Sequence, residues 1–325
     1  MKLKNILLCA IIVVAAQACD NEAALQPNAP GEGIVFEFPE GDNDWDRDLQ
    51  QIAGEFGTKC IYKNLTLTDL MRSWTATGSA TEYLGQGLIN DRQAKLYTQF
   101  FKDHVFHFLN PEIAKKVLPN YIYFAYDYCS VNFRADIGLV WHGNPRARYD
   151  GMGFWAFCYE TSEHVSIMDV PWQWTMFTEA IDVKKNREMV LKNIFNLMVN
   201  DGVIVPPAQF AVGGGLDYST PIVYGAANIN NENYYKRRGF PARLTNLVTW
   251  VASPSDLYSI SNTGPTLTFI DYLWLAFRFS AGEVREAYKD FPLVIQYYEL
   301  TVKYVKEKYG MDISLIGEMP EGLED

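Results

Sequence analysis

Cysteine and histidine are both scarce in this chain, five and four respectively in 325 residues, and no CxxC spacing occurs. A disulfide framework is therefore excluded. Basic residues are also in deficit: 28 lysines and arginines face 39 acidic residues, giving a net charge of -11. That balance disfavours nucleic acid or anionic lipid as a partner, because either would be repelled. After the first eighteen residues no segment approaches the roughly 20 consecutive apolar residues of a membrane helix, so the remainder is expected to be soluble. Gly213-Gly214-Gly215 is not followed by Gly-Lys-Ser/Thr, so it is a turn rather than a phosphate loop.

What is present begins with an export signal. Lys2 and Lys4 precede an apolar stretch from Ile6 to Ala16, and small residues lead up to Cys19. Ala16-Gln17-Ala18-Cys19 resembles a bacterial lipobox with alanine in place of the usual leucine. Residues 1–18 are thus read as a signal peptide and Cys19 as the lipid attachment point; the alternative is an ordinary secretory signal cut after Ala18. Asp20, Asn21 and Glu22 resemble the acidic surface-export signal of some outer-membrane lipoproteins. Residues 19–33 lack periodicity and are expected to form a flexible tether.

Residues 34–325 are expected to form one domain, since 48% apolar and 14% aromatic residues can build a large core. A first helix is predicted to start in Asp42-Asn43-Asp44-Trp45-Asp46 and to stop at Gly57, with a strand from Thr58 to Leu65. Helical spacing of Tyr97, Phe101, Val105 and Phe108 predicts a helix from Asp91 to Leu109. Tyr121 to Tyr126 is apolar on both faces and reads as a central strand, with further strands at Gly138 to Trp141 and Phe154 to Tyr159. Helices follow at Asp182 to Val199, from about Thr266, and after Pro292 as far as Gly310. The class is α+β, a small sheet with several packed helices.

Cys60, Cys129 and Cys158 remain once Cys9 and Cys19 are set aside; one bridge among them is possible, and Cys129 reads as a buried apolar side chain. His104 and His107 lie three apart on a predicted helix, a spacing that suits a metal, although no third ligand is evident. His142 and His164 stand isolated in the sequence. Asp42, Asp44 and Asp46 mimic the start of a calcium loop, but Arg47 and Ala53 replace its glycine and its last ligand, which favours helix capping. Trp172 and Trp174, two apart, would face the same way on a strand and offer a sugar-stacking platform, with Trp141 and Trp155 as further candidates. Glu160 and Glu163 resemble a glycosidase pair only as any acidic chain does.

Four separated stretches together resemble a family of outer-membrane lipoproteins named as zinc-binding metallopeptidases, found beside starch-utilisation-type nutrient-uptake systems. They are Phe38 to Asp46, Phe56-Gly57-Thr58, Gly239-Phe240-Pro241-Ala242, and Val302 to Ile313. The resemblance implies a zincin-like fold, in which HExxH sets two zinc-binding histidines on one helix face beside a general base. No HExxH occurs in this chain. Aligned by pattern, Lys192, Asn193 and Asn196 stand where His, Glu and His would, and Ser259 falls at the third ligand. A lysine would repel zinc, and asparagine is a poor ligand and no base at neutral pH.

These readings converge on a catalytically inactive accessory or binding lipoprotein, with no cofactor. Its partners would be a membrane, through the lipid, and a nutrient transporter, peptide or glycan. An active zinc metallopeptidase with non-standard ligands, and a surface glycan-binding lipoprotein, are the alternatives.

Overall fold

The computed structural model describes residues 36–71, 82–145, 147–149, 153–242 and 264–324. The signal peptide, Cys19, the tether and Ser259 lie outside them. Phe38 to Asp325 forms one compact unit.

Helix α1 (Asp44–Phe56) begins where its acidic residues suit the positive helix end, and it stops at left-handed Gly57. Asp46 fixes its start: one carboxylate oxygen accepts the Asn43 backbone N–H at 2.9 Å and the other accepts the Tyr62 hydroxyl at 2.7 Å. A β-carbon on Gly41 would lie 2.6 Å from that carboxylate, so the chain needs glycine there. The strand expected to reach Leu65 is shorter, β1 (Lys59–Ile61). The Glu40 carboxylate accepts the next two backbone N–H groups, Tyr62 at 2.6 Å and Lys63 at 2.9 Å, and so ends it. After the single turn α2 (Leu67–Leu70), β2 (Glu82–Gly87) joins the sheet.

Helix α3 (Asp91–His104) is capped by Asn90 and ends five residues before the expected Leu109. The reason is crowding of apolar residues around the helix circumference: Val105, Phe106 and Leu109 are all buried. A tight turn over Phe106–Phe108 brings them inside together. His104 and His107 therefore do not share one helix. A further turn, α4 (Pro111–Ala114), leads to the sheet.

Strand β3 (Tyr121–Arg134) is central, as its two apolar faces require. Its first half pairs in parallel with β1 on one side and β6 (Phe154–Cys158) on the other. Its second half pairs antiparallel with β2 and β4 (Leu139–His142), and β5 (Ala147–Arg148) closes the far edge of β6. Between Cys129 and Tyr126 the β2 register slips by one residue, a bulge in which Asp127 has φ 61°. Gly85 opposes it at φ 152°, where a β-carbon would strike Leu70 and Tyr128. A small hairpin, β7 (His164–Val165) with β8 (Pro171–Trp172), follows.

Four longer helices follow, α5 (Ala180–Asn200), α6 (Pro265–Arg278), α7 (Ala281–Ala287) and α8 (Pro292–Tyr309), with turns and loops over residues 201–242. Helix α7 is absent from the sequence reading, yet its Ser280–Glu283 capping box was there to be seen. The class is α+β, as expected. Tyr97 links helix to sheet, because its buried hydroxyl donates to Ala125 O at 3.0 Å and accepts Tyr159 N–H at 2.6 Å. Cys60, Cys129 and Cys158 are buried free thiols, so no bridge forms among them.

Asp46→Ala removes a helix cap and leaves the Tyr62 hydroxyl without its acceptor. It should cost about 1–3 kcal/mol, seen as a lower urea midpoint at unchanged slope.

Candidate functional site

Helix α5 turns Val183, Val190, Leu191, Ile194, Phe195 and Met198 into the core, and it carries four charged residues, Lys184, Arg187, Glu188 and Lys192, inside as well. Burying a charge is expensive unless it is paired. Here Glu188 is the hub: Arg278 Nε donates to both its oxygens at 2.8 and 2.9 Å, and Arg278 Nη2 lies 2.6 Å from one of them. Lys192, one turn further along α5, ion-pairs with the same oxygen. Asp271, buried on α6, adds a second negative charge that favours the ammonium. Burial pushes the pKa of Lys192 down to about 8, with Glu188 opposing the shift.

The ammonium also sits 4.8 Å over the Trp274 ring, whose indole N–H donates to Asn196 Oδ1 at 3.2 Å. Lys192 and Asn196 thus converge through Trp274. Asn193 does not join them: its amide donates to Met189 O on its own helix. Ser259 lies outside the described residues. Along this helix face the donors are an ammonium and amides, with one carboxylate already bound by two cations. Such a set does not attract a divalent ion.

A second constellation lies on the sheet. His142 and His164, isolated in sequence, stack with ring centroids 4.1 Å apart. The bulge in β3 delivers Asp127, whose Oδ1 is 2.6 Å from His164 Nε2. Cys129 Sγ lies 3.7 Å from that same nitrogen. Ser162 holds the carboxylate through its backbone N–H at 3.0 Å and its hydroxyl at 2.9 Å. Burial drives the Cys129 thiol up to about 12, with the Asp127 charge adding to the effect. His142 is lowered, first by burial and then by His164 beside it.

Among the described residues, Asp127, Cys129 and His164 are the three-ligand cluster, and His104 and His107 belong to none. Burial lowers His104 to about 4. Sequence reasoning missed this cluster because its members are spread over 38 positions and meet only through the bulge. No sequence signal marked it: the strand expected over Tyr121 to Tyr126 stops short of Asp127, and His164 stood isolated without a recognised spacing.

The tryptophan platform is only partly formed. Strand β8 ends at Trp172, so Trp174 lies beyond it. Trp172 packs 5.2 Å from His164, Trp174 is 47% exposed, and Trp155 is core. Nearby hairpin tips expose large apolar side chains: Phe133 at 67%, Ile137 and Val140 around the β3–β4 turn, and Ile167, Met168 at 74% and Val170 in the β7–β8 turn. Arg134 Nη1 donates to Ile167 O at 3.1 Å and ties one tip to the other.

The four stretches that carry the family resemblance occupy neither constellation. Asp46 and Glu40 fix α1 and β1, and Thr58 Oγ1 donates to Pro119 O at 2.8 Å. Tyr272 OH donates to Gly239 O at 2.7 Å, while Asn110 Nδ2 donates to Tyr309 O at 2.9 Å. All are scaffold contacts.

No family model matches the chain, and no curated protein matches it. A crystal structure of a "putative zinc-binding metallo-peptidase" from Bacteroides caccae is similar over 84% of this chain and 88% of that one, at 11% identity and a TM-score of 0.44. A likeness that distant transfers neither an activity nor a metal.

Replacing Glu188 by glutamine leaves Arg278 and Lys192 buried without their counter-charge and should cost about 3–5 kcal/mol. Lys192→Met keeps the Arg278–Glu188 pair and should cost clearly less. Urea unfolding of the two variants tests that order; equal losses contradict the hub assigned to Glu188.

Proposed function

We propose that this chain is an outer-membrane lipoprotein related to the zinc-binding metallopeptidases, whose zincin-like site has lost catalysis and whose role is accessory binding in nutrient uptake. One observation carries the non-catalytic part. On the helix face where the resemblance calls for a metal and a base, the chain has a lysine locked to Glu188, with Arg278 holding the same carboxylate. Removing zinc ligands need not leave a hole; here an internal ion cluster fills the place and ties α5 to α6. The binding part is supported by the apolar hairpin tips, since contiguous exposed apolar surface marks contact sites. The lipid anchor rests on the residues around Cys19, and a transporter complex at the outer membrane is the partner class that this anchor and the resemblance favour.

Two measurements test the reading. Cells expressing the full chain and fed radiolabelled palmitate should label it, and Cys19→Ala should abolish the label; an unlabelled parent or a labelled variant removes the anchor. The purified chain, incubated with a peptide library and added zinc, should leave the peptides intact. Chelator-sensitive cleavage that is lost in Lys192→Met would overturn the non-catalytic reading of α5.

A further inference from the structure

We infer that Asp127, Cys129 and His164 form a binding site for one divalent transition ion, zinc by its ligand chemistry, with a water completing the coordination. The site is separate from the α5 ion cluster and does not depend on the function proposed above.

Geometry separates this arrangement from a nucleophile triad. In a Cys-His-Asp relay the imidazole places one nitrogen toward the thiol and the other toward the carboxylate. Here Asp127 Oδ1 at 2.6 Å and Cys129 Sγ at 3.7 Å both face His164 Nε2. The sulfur, nitrogen and oxygen all lie within 4.8 Å of one another. Three unlike donors that converge on a point serve a cation, not a proton relay. Around tetrahedral zinc, a bound sulfur and nitrogen stand about 3.5 Å apart, close to the separation already present. The Asp127–His164 contact would open by about 0.7 Å as the metal enters and replaces their hydrogen bond.

Further observations point the same way. Asp127 occupies a left-handed backbone conformation that a non-glycine residue adopts at a local free-energy cost, and the bulge that imposes it also aims its carboxylate at His164. Ser162 grips that carboxylate with two hydrogen bonds, the outer-shell support that metal-bound carboxylates receive. The neighbouring His142 has a buried Nδ1 with no hydrogen-bond partner, at the side of the stacked pair. Its ring lies nearly parallel to His164, so its in-plane lone pair does not reach the same point without rotation. The three ligands thus leave one tetrahedral position open for water.

Ligand type selects the ion. A thiolate and an imidazole exclude magnesium and calcium, which take oxygen donors, whereas a mixed sulfur, nitrogen and oxygen set suits zinc. As the metal enters, the thiol proton leaves to solvent, and so does the Nε2 proton that His164 shares with Asp127, with Nδ1 taking up a proton so that the bound imidazole stays neutral. The bound thiolate and carboxylate then carry two negative charges that offset those of the ion.

The test is titration of the purified full chain with cobalt(II), a spectroscopic stand-in for zinc. One equivalent should bind, give a thiolate-to-cobalt charge-transfer band, and be displaced by zinc. Cys129→Ser should abolish the band, and Asp127→Asn, which tolerates the same backbone, should weaken binding at least tenfold. Ser162→Ala, a positioning change, should weaken it about tenfold. Lys192→Met should bind as the parent does, which separates this site from the α5 cluster. Circular dichroism identifies any variant that fails to fold, and the Asp127→Asn and Ser162→Ala comparisons stand without Cys129→Ser. Absence of bound cobalt, a band that survives Cys129→Ser, or unchanged affinity in Asp127→Asn overturns the inference.

Discussion

One strand organises the sheet: β3 pairs in parallel through a largely buried first half and antiparallel through a second half that runs out towards solvent. A regular strand can do this only if the two halves share one register, and they do not. The bulge at Asp127 absorbs the difference by inserting a residue in a left-handed conformation opposite Gly85. The β2 pairing on one flank and the Asp127–Ser162–His164 contacts on the other both follow from that inserted residue.

The helical layer meets a different constraint. Helices α5 and α6 bury charges at their contact, and desolvation of each would exceed any gain from a lone pair. Three groups share one carboxylate environment instead, with Asp271 as the second anion. Arginine suits the hub contact because its planar group reaches both carboxylate oxygens, whereas lysine contributes one point charge. The same cluster that holds two helices together places two cations on that helix face.

Much of the scaffold could be read from residue order. The capping acids and Gly57 bracket α1, Gly310 ends α8, and the two-sided apolar run of β3 marks it as central. Boundaries failed where tertiary contacts decided them: Glu40 cuts β1 short, and the burial of Val105, Phe106 and Leu109 breaks α3 at His104. Lys192 and Asn196 meet through Trp274, and Glu188 and Arg278, their organising partners, carry no sequence signal. The sheet cluster was illegible, because a bulge has no period and a ligand set split across a strand and a hairpin has no spacing. The stretches that carry the family resemblance encode caps and clamps rather than chemistry.

The left-handed backbone at Asp127 limits how this position can drift. Asparagine and glycine accept that conformation, and each erases the carboxylate in a single replacement. Glutamate would keep the charge, but its longer chain would overshoot His164 and its backbone would resist the turn. The position is therefore asymmetric in evolution: easy to silence, hard to substitute by another acid, and restored only by aspartate itself.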